Sequence, residues 1–208
     1  GANDAPVISV PLSALTLEDT AIILSGANAI QILDADAFLS DTLANDGRGD
    51  LKVTLTATNG TFTFASIAGL DFTFTDPDPL YGAGFGFGSN NAAAAAPGGA
   101  GVTTATFRGT LLELQVALNG LSFVPGPDVN DPTGTGLAPN DDIKLDIAVN
   151  DLGNYWVNPM NGLQDSPQSA TNTLHLIVTP VNDGPVFTLP GVGFTVNEDA
   201  NSATIAMA

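Results

Sequence analysis

The sequence contains no cysteine and very few basic residues. Without cysteine, disulfide bonds and thiolate metal sites are excluded. Four Lys and Arg residues stand against 22 Asp and Glu residues, so the formal net charge is -18 at pH 7. Nucleic acid and anionic membranes bind through basic surfaces, and we therefore expect neither of them as a partner.

Long apolar runs are also missing. A membrane-spanning helix needs about 18 or more consecutive apolar residues, and none is present, so we expect no membrane insertion. The sequence has no leader typical of a signal peptide, and we interpret it as an excised piece of a longer protein. Its 208 residues and 44% hydrophobic content are enough for a folded domain with a substantial core.

The acidic residues are mostly aspartate, 19 of the 22, with only three glutamates. Aspartate is unfavourable in helices and strands, is common in turns, and is a hard oxygen ligand for cations. Solubility alone would explain some acidic excess. Because self-repulsion at this charge destabilises a compact fold unless something neutralises it, a bound divalent cation is a hypothesis worth testing.

Period-two alternation of apolar and polar residues predicts strands. The runs LKVTLTA at 51–57 and IKLDIAV at 143–149 each place their apolar residues on one face. Five shorter runs add to these, at 61–64, 71–75, 103–107, 121–124 and 172–178. Seven or so short strands separated by Gly, Pro, Asn and Asp are typical of a β-sandwich, so we predict an all-β fold.

Two segments depart from this pattern. Thr110 and Glu113 have capping-box spacing before a leucine face, which predicts one short helix over 111–118. The Gly- and Ala-rich segment 82–101 predicts a mobile insertion loop. Its glycine spacing does not indicate nucleotide binding, because no strand leads directly into a helix there.

One phrase occurs near both ends of the chain. Residues 3–11 read NDAPVISVP and residues 182–190 read NDGPVFTLP, with LTLEDT at 15–20 matching FTVNEDA at 194–200 after one insertion. Self-similarity over so long a period indicates an array of whole domains. We therefore predict one repeat over residues 1–181, followed by the linker and first strand or strands of the next repeat over 182–208.

Acidic residues cluster in short motifs between the predicted strands, including DAD at 34–36, DVND at 128–131 and NDLGN at 150–154. Calcium takes about six to eight oxygen ligands from carboxylates, amides and carbonyls, which flexible Asp/Asn loops supply. In an extended segment, the carboxylates of Asp34 and Asp36 point the same way. The alternative is that these residues only form turns and caps.

Taken together, these segments resemble the cadherin-like tandem repeats of very large, calcium-dependent bacterial surface adhesins, many of which carry RTX-type secretion signals. The similarity covers nearly the whole chain and lies in the following stretches: VNDGPV, LEDT, DADA, LKVTLTATNGTFTF, GTLLELQVALNGLSFVPG, AVNDLGN and LHLIVTPVND. It implies an immunoglobulin/cadherin-like Greek-key β-sandwich and calcium ions between consecutive repeats.

Carried over by position, the resemblance implies two metal sites. The upper site would contain Asn3, Asp4, Asp34, Asp36 and Asp151, and the lower site Glu18, Asn182 and Asp183. In such a sandwich the Glu18 turn lies near Asn182, while Asp34 and Asp151 return towards Asn3. Val181 stands where cadherins have an aspartate, and no mid-domain acidic motif is evident, so we expect fewer or weaker ions.

We therefore expect a non-enzymatic, extracellular cell-surface repeat that acts as a calcium-rigidified spacer in cell adhesion. Its partners would be adjacent repeats and a cell-surface protein or polysaccharide, with self-association through an unpaired C-terminal strand as a further route. The alternative is a calcium-dependent carbohydrate-binding module, with Tyr155 and Trp156 stacking on a sugar. His175 lies between two leucines of an alternating strand, which predicts a solvent-facing ring rather than a zinc or catalytic site.

Overall fold

The structure is a computed structural model that describes residues 3–12, 14–35, 37, 50–74, 88–135, 142–152 and 166–183. Within these ranges the chain forms ten strands and two α-helices. The strands are β1 (Val7–Ser9), β2 (Ala14–Leu17), β3 (Ile22–Leu24), β4 (Gln31–Leu33), β5 (Leu51–Thr58), β6 (Gly60–Thr63), β7 (Thr104–Gly109), β8 (Leu121–Pro125), β9 (Lys144–Asn150) and β10 (Ser169–Thr179). The helices are α1 (Ala92–Ala95) and α2 (Leu111–Leu118). The predicted all-β class is confirmed.

The described strands form three sheets. The largest has the order β2-β10-β9-β5-β7, the second β3-β8-β6, and the third pairs β1 with β4. All neighbours are antiparallel except β2 and β10, which run parallel from the pair Leu176 and Ala14 to the pair Thr179 and Leu17. The sheet therefore joins the beginning of the chain to residues more than 150 positions later.

Alternation in the sequence produces the core. Along β5 every second residue is buried, and Leu51, Val53 and Leu55 are fully inaccessible to solvent. The inward residues of all three sheets belong to one hydrophobic cluster, in which Phe64 makes an edge-to-face contact with Phe107 at 5.0 Å between ring centroids. The strands predicted over 51–57 and 143–149, and those near 61–64, 103–107, 121–124 and 172–178, are confirmed.

Helix α2 begins as its capping box predicts. The Thr110 hydroxyl accepts a hydrogen bond from the Glu113 amide at 3.4 Å, and the Glu113 carboxylate accepts one from the Thr110 amide at 2.9 Å. These contacts satisfy two amides that a helix start otherwise leaves without an acceptor. Leu111, Leu114 and Leu118 are buried beneath the helix.

The structure corrects the prediction of a single helix. Helix α1 lies in the segment 82–101 that was predicted to be a mobile loop, and the structure describes that segment from residue 88 onwards. Ala95 is fully buried, and its carbonyl accepts a hydrogen bond from the Phe64 amide at 2.8 Å. Alanine favours helix, and contact with the core fixes this turn in place.

The strand predicted over 71–75 is wrong for its described residues, which form only an isolated bridge between Asp71 and Arg108. The Asp71 carboxylate instead accepts hydrogen bonds from the Thr73 amide and hydroxyl, so it forms a turn. Partial burial alone would raise the pKa of Asp71, but the bonds from Thr73 and the charge of Arg108 hold that pKa below its usual value.

Candidate metal centres

Strand β10 connects the two ends of the domain that carry the predicted ligands. Its first residue, Ser169, pairs with Asn150, which immediately precedes Asp151. Its last residue, Thr179, pairs with Leu17, which immediately precedes Glu18. Eleven strand residues span about 33 Å. We call the Asp151 end the upper pole and the Glu18 end the lower pole.

At the upper pole, Asp151 is completely buried although it is acidic. One carboxylate oxygen accepts a hydrogen bond from the Asn3 side-chain amide at 2.7 Å, and the other accepts one from the Gln168 backbone amide at 2.8 Å. Asn3 also donates to the Ser166 carbonyl at 3.0 Å. The structure thus brings together Asn3 and Asp151, two predicted ligands that are 148 positions apart.

Asp34 approaches the same pole through strand pairing. Val7 of β1 pairs with Leu33 of β4, so the antiparallel register carries Asp34 to the level of Pro6. The half-buried Asp34 carboxylate accepts a hydrogen bond from the Ala37 amide at 3.0 Å. Asp4 is exposed to solvent. Asp36 lies outside the described residues, so its position in the predicted site stays a prediction.

At the lower pole, Glu18 is 5% exposed and lies in the turn after β2. Its carboxylate accepts a hydrogen bond from the Val181 backbone amide, and its own amide donates to the Thr179 carbonyl at 3.0 Å. These bonds hold Thr179, the last residue of β10, and Val181, which immediately precedes Asn182. Asn182 and Asp183 are both exposed, and the Asn182 side chain donates to the Asp183 carbonyl at 3.3 Å.

The described residues at the two poles fit calcium chemically, although by themselves they do not form a complete coordination shell. Carboxylate and amide oxygens are the ligands that calcium takes, and the buried carboxylates of Asp151 and Glu18 lie one at each pole. Asn3 currently turns its nitrogen towards Asp151, so binding an ion there requires the amide to rotate and present its oxygen. In the described part of the chain, no three His, Cys, Asp or Glu side chains group closely enough to hold a metal ion.

Two buried acids, Asp50 and Asp131, were not assigned as ligands from the sequence. Asp131 is fully inaccessible, and its backbone pairs with Val178 of β10. Its Oδ1 atom accepts hydrogen bonds from the Thr133 amide and hydroxyl and from the Gly134 amide, at 2.8–3.1 Å. The motif DVND at 128–131 signals an acidic cluster, and these bonds give Asp131 a turn-forming role.

The remaining residues named in the sequence analysis are His175, Tyr155 and Trp156, of which the structure describes only His175. His175 is exposed between the buried Leu174 and Leu176, as the alternation predicts. Tyr155 and Trp156 lie outside the described residues, so the sugar-stacking alternative stays a prediction. No helix in the described ranges combines the length and hydrophobicity needed to cross a membrane.

Comparison with known proteins does not assign the chain. No protein-family model matches the sequence, and searches of curated proteins and of solved structures returned no significant match. The function must therefore be inferred from the chain's own residues and their placement.

Proposed function

We propose that the chain is a calcium-binding extracellular repeat of a bacterial adhesin and that it acts as a spacer stiffened by calcium at each junction. One observation carries this proposal: the two copies of the Asn-Asp phrase begin at opposite ends of β10, each next to a buried carboxylate. Asn3 bonds Asp151 directly, and Asn182 follows Val181, which bonds Glu18. A repeat in a linear array needs its two junctions at opposite ends.

The strand order supports the finer fold that this function requires. Strands β3, β6 and β8 form one sheet, while β2, β5, β7, β9 and β10 form another, so the chain crosses repeatedly between sheets. Such crossing is typical of immunoglobulin- and cadherin-like Greek-key sandwiches. Under this proposal residues 1–181 are one sandwich and residues 182–208 begin the next.

The acidic residues would hold the ions in two groups. The upper group is Asn3, Asp4, Asp34, Asp36 and Asp151, completed by a glutamate from the preceding repeat; the lower group is Glu18, Asn182 and Asp183, completed by acids of the following repeat. When bound, calcium supplies positive charge that carboxylates of two repeats share. The shared ions would tie the linker residues Asn3 and Asn182 to the carboxylates of Asp151 and Glu18, so the linker direction would be fixed at both poles.

Electrostatics explain why the junction would respond to calcium. With a net charge of -18 per chain, neighbouring repeats repel each other, and their acidic linkers repel most at short range. Pro6 fixes its own φ and keeps the residue before it extended, which favours a straight linker. Calcium removes the repulsion at the point where the linker is already stiff.

Small-angle scattering of a two-repeat protein tests this function. Residues 1–181 followed by residues 3–208 reproduce the natural offset, because Asn182 corresponds to Asn3. We expect the maximum dimension to increase when calcium replaces a chelator at matched ionic strength, because the two repeats become aligned. Identical scattering profiles in calcium and in chelator would contradict the spacer function.

A further inference from the structure

Exposed apolar side chains lie next to the acidic residues at the upper pole. Val7 and Leu33 face each other across the β1–β4 pair, and they are 59% and 52% exposed. Leu33 immediately precedes Asp34, and Val7 follows Asp4 by three residues. Single exposed apolar residues are ordinary, but a directly opposed pair forms a continuous patch.

The lower pole has a corresponding pair. Leu17 is 49% exposed and immediately precedes Glu18, while Val181 is 45% exposed and immediately precedes Asn182. The two residues are held together because the Glu18 carboxylate accepts the Val181 amide and because Leu17 pairs with Thr179. Each pole therefore presents an apolar pair beside its candidate calcium ligands.

The repeated phrase in the sequence indicates which surface covers these apolar pairs. With the offset of 179 residues, Val186 is the counterpart of Val7 in the following copy. Only four residues separate Val181 from Val186, so a fully extended chain keeps their Cα atoms within about 18 Å of each other. The polypeptide itself brings the upper pole of the next repeat to the lower pole of this one.

We propose that consecutive repeats touch through these two pairs: Leu17 and Val181 of one repeat pack against the counterparts of Val7 and Leu33 in the next. This inference rests on the proposed spacer function. Carboxylates at both poles repel each other, so the apolar contact forms only when calcium neutralises them. The contact then fixes the angle between repeats, because the orientation that buries both pairs removes the most apolar surface from water.

The absence of cysteine permits a direct test by pulsed electron spin resonance. In the two-repeat protein, Thr104→Cys in each repeat gives one labelling site per domain, on an exposed strand residue. The parent should give a narrow distance distribution in calcium and a broad one in chelator. Leu17→Ser with Val181→Ser in the first repeat should abolish the narrowing in calcium, as should Val7→Ser with Leu33→Ser in the second.

A matched control uses exposed apolar residues that do not adjoin a candidate ligand in the sequence. Leu15 and Ile23 are 64% and 54% exposed, and their double substitution by serine in the first repeat should leave the calcium distribution narrow. Every substituted side chain is exposed, so we expect all variants to stay folded. Thermal melting checks this expectation. If the distance distributions of the pole variants narrow in calcium as the parent's does, the proposed apolar contact is wrong, while the spacer function still stands. If the parent stays broad in calcium, the spacer function fails and the contact with it.

Discussion

Calcium at 100 times its dissociation constant should raise the free energy of unfolding of this chain by about 2.7 kcal/mol, because a ligand that binds only the folded state stabilises it by mass action. For a domain of this size the melting temperature should rise by about 5–11 °C. The expected source is the upper pole, where the buried Asp151 and the half-buried Asp34 lie on the same repeat as Asn3 and Asp4. Thermal unfolding in calcium and in chelator measures the effect.

Two controls make that result specific. Magnesium at the same concentration should raise the melting temperature less, because it keeps its water ligands and needs a near-octahedral site. Sodium chloride at matched ionic strength should reproduce only the general screening of the acidic surface. Equal melting temperatures in calcium and in chelator would mean that the folded chain does not bind calcium in this range.

Replacing Asp151 should lower the free energy of unfolding more than any other single substitution at the poles. Asp151→Ala removes the carboxylate that accepts from the Gln168 amide and the bond that Asn3 donates to Asp151, which should cost about 1–3 kcal/mol without calcium. In calcium the loss of unfolding free energy should be larger, because the variant also loses the stabilisation that the bound ion gives the parent. Urea unfolding with and without calcium separates the two contributions.

The variant Asp151→Asn isolates the charge from the hydrogen bonds. Asparagine keeps an oxygen that can accept from the Gln168 amide, but it removes one negative charge from the upper pole. Its stability in chelator should lie closer to the parent than that of Asp151→Ala, while its calcium response should be lost. Asp128→Asn is the control: Asp128 is exposed with φ +57°, which asparagine tolerates, and its calcium response should match the parent's.

A calcium response that survives Asp151→Asn would contradict the assignment of the upper pole. The ion would then bind elsewhere in the chain, and the carboxylate of Asp151 would serve only to anchor Asn3 and Gln168. The same experiment on Asp34→Ala tests the second acid of that pole, which should also lose the response.

Sequence patterns predicted the long strands and the capped helix because their signals are local. Strand β5 alternates over eight residues, and the Thr110–Glu113 box fixes the start of α2. Strands β1 to β4 have only three or four residues each, too few for a period to emerge. Strand β2 is defined by its parallel pairing with β10, a contact between residues 162 positions apart at Ala14 and Leu176.

The sequence could predict the side chains of the candidate sites, but not the backbone groups that hold these side chains in place. Repetition of the Asn-Asp phrase identified Asn3 and Asn182, and the structure places the first against Asp151. The groups that hold the carboxylates of Asp151 and Glu18 in place include the backbone amides of Gln168 and Val181, and a backbone amide has no signature in the sequence. For Asp131, the acidic motif in the sequence predicts a loop. The sequence does not show that the Asp131 carboxylate accepts hydrogen bonds from that same loop.

The central claim, that the carboxylates at the poles bind calcium, is tested most directly by a calcium titration followed in the ¹⁵N–¹H spectrum of the uniformly labelled chain. The amides of Gln168 and Val181 donate to the carboxylates of Asp151 and Glu18, so their resonances report on each pole separately. We predict saturable shifts that are largest at Gln168, smaller at Val181, where the next repeat supplies the missing ligands, and negligible at Leu174 in the middle of β10. A titration that leaves Gln168 and Val181 unmoved would contradict the account.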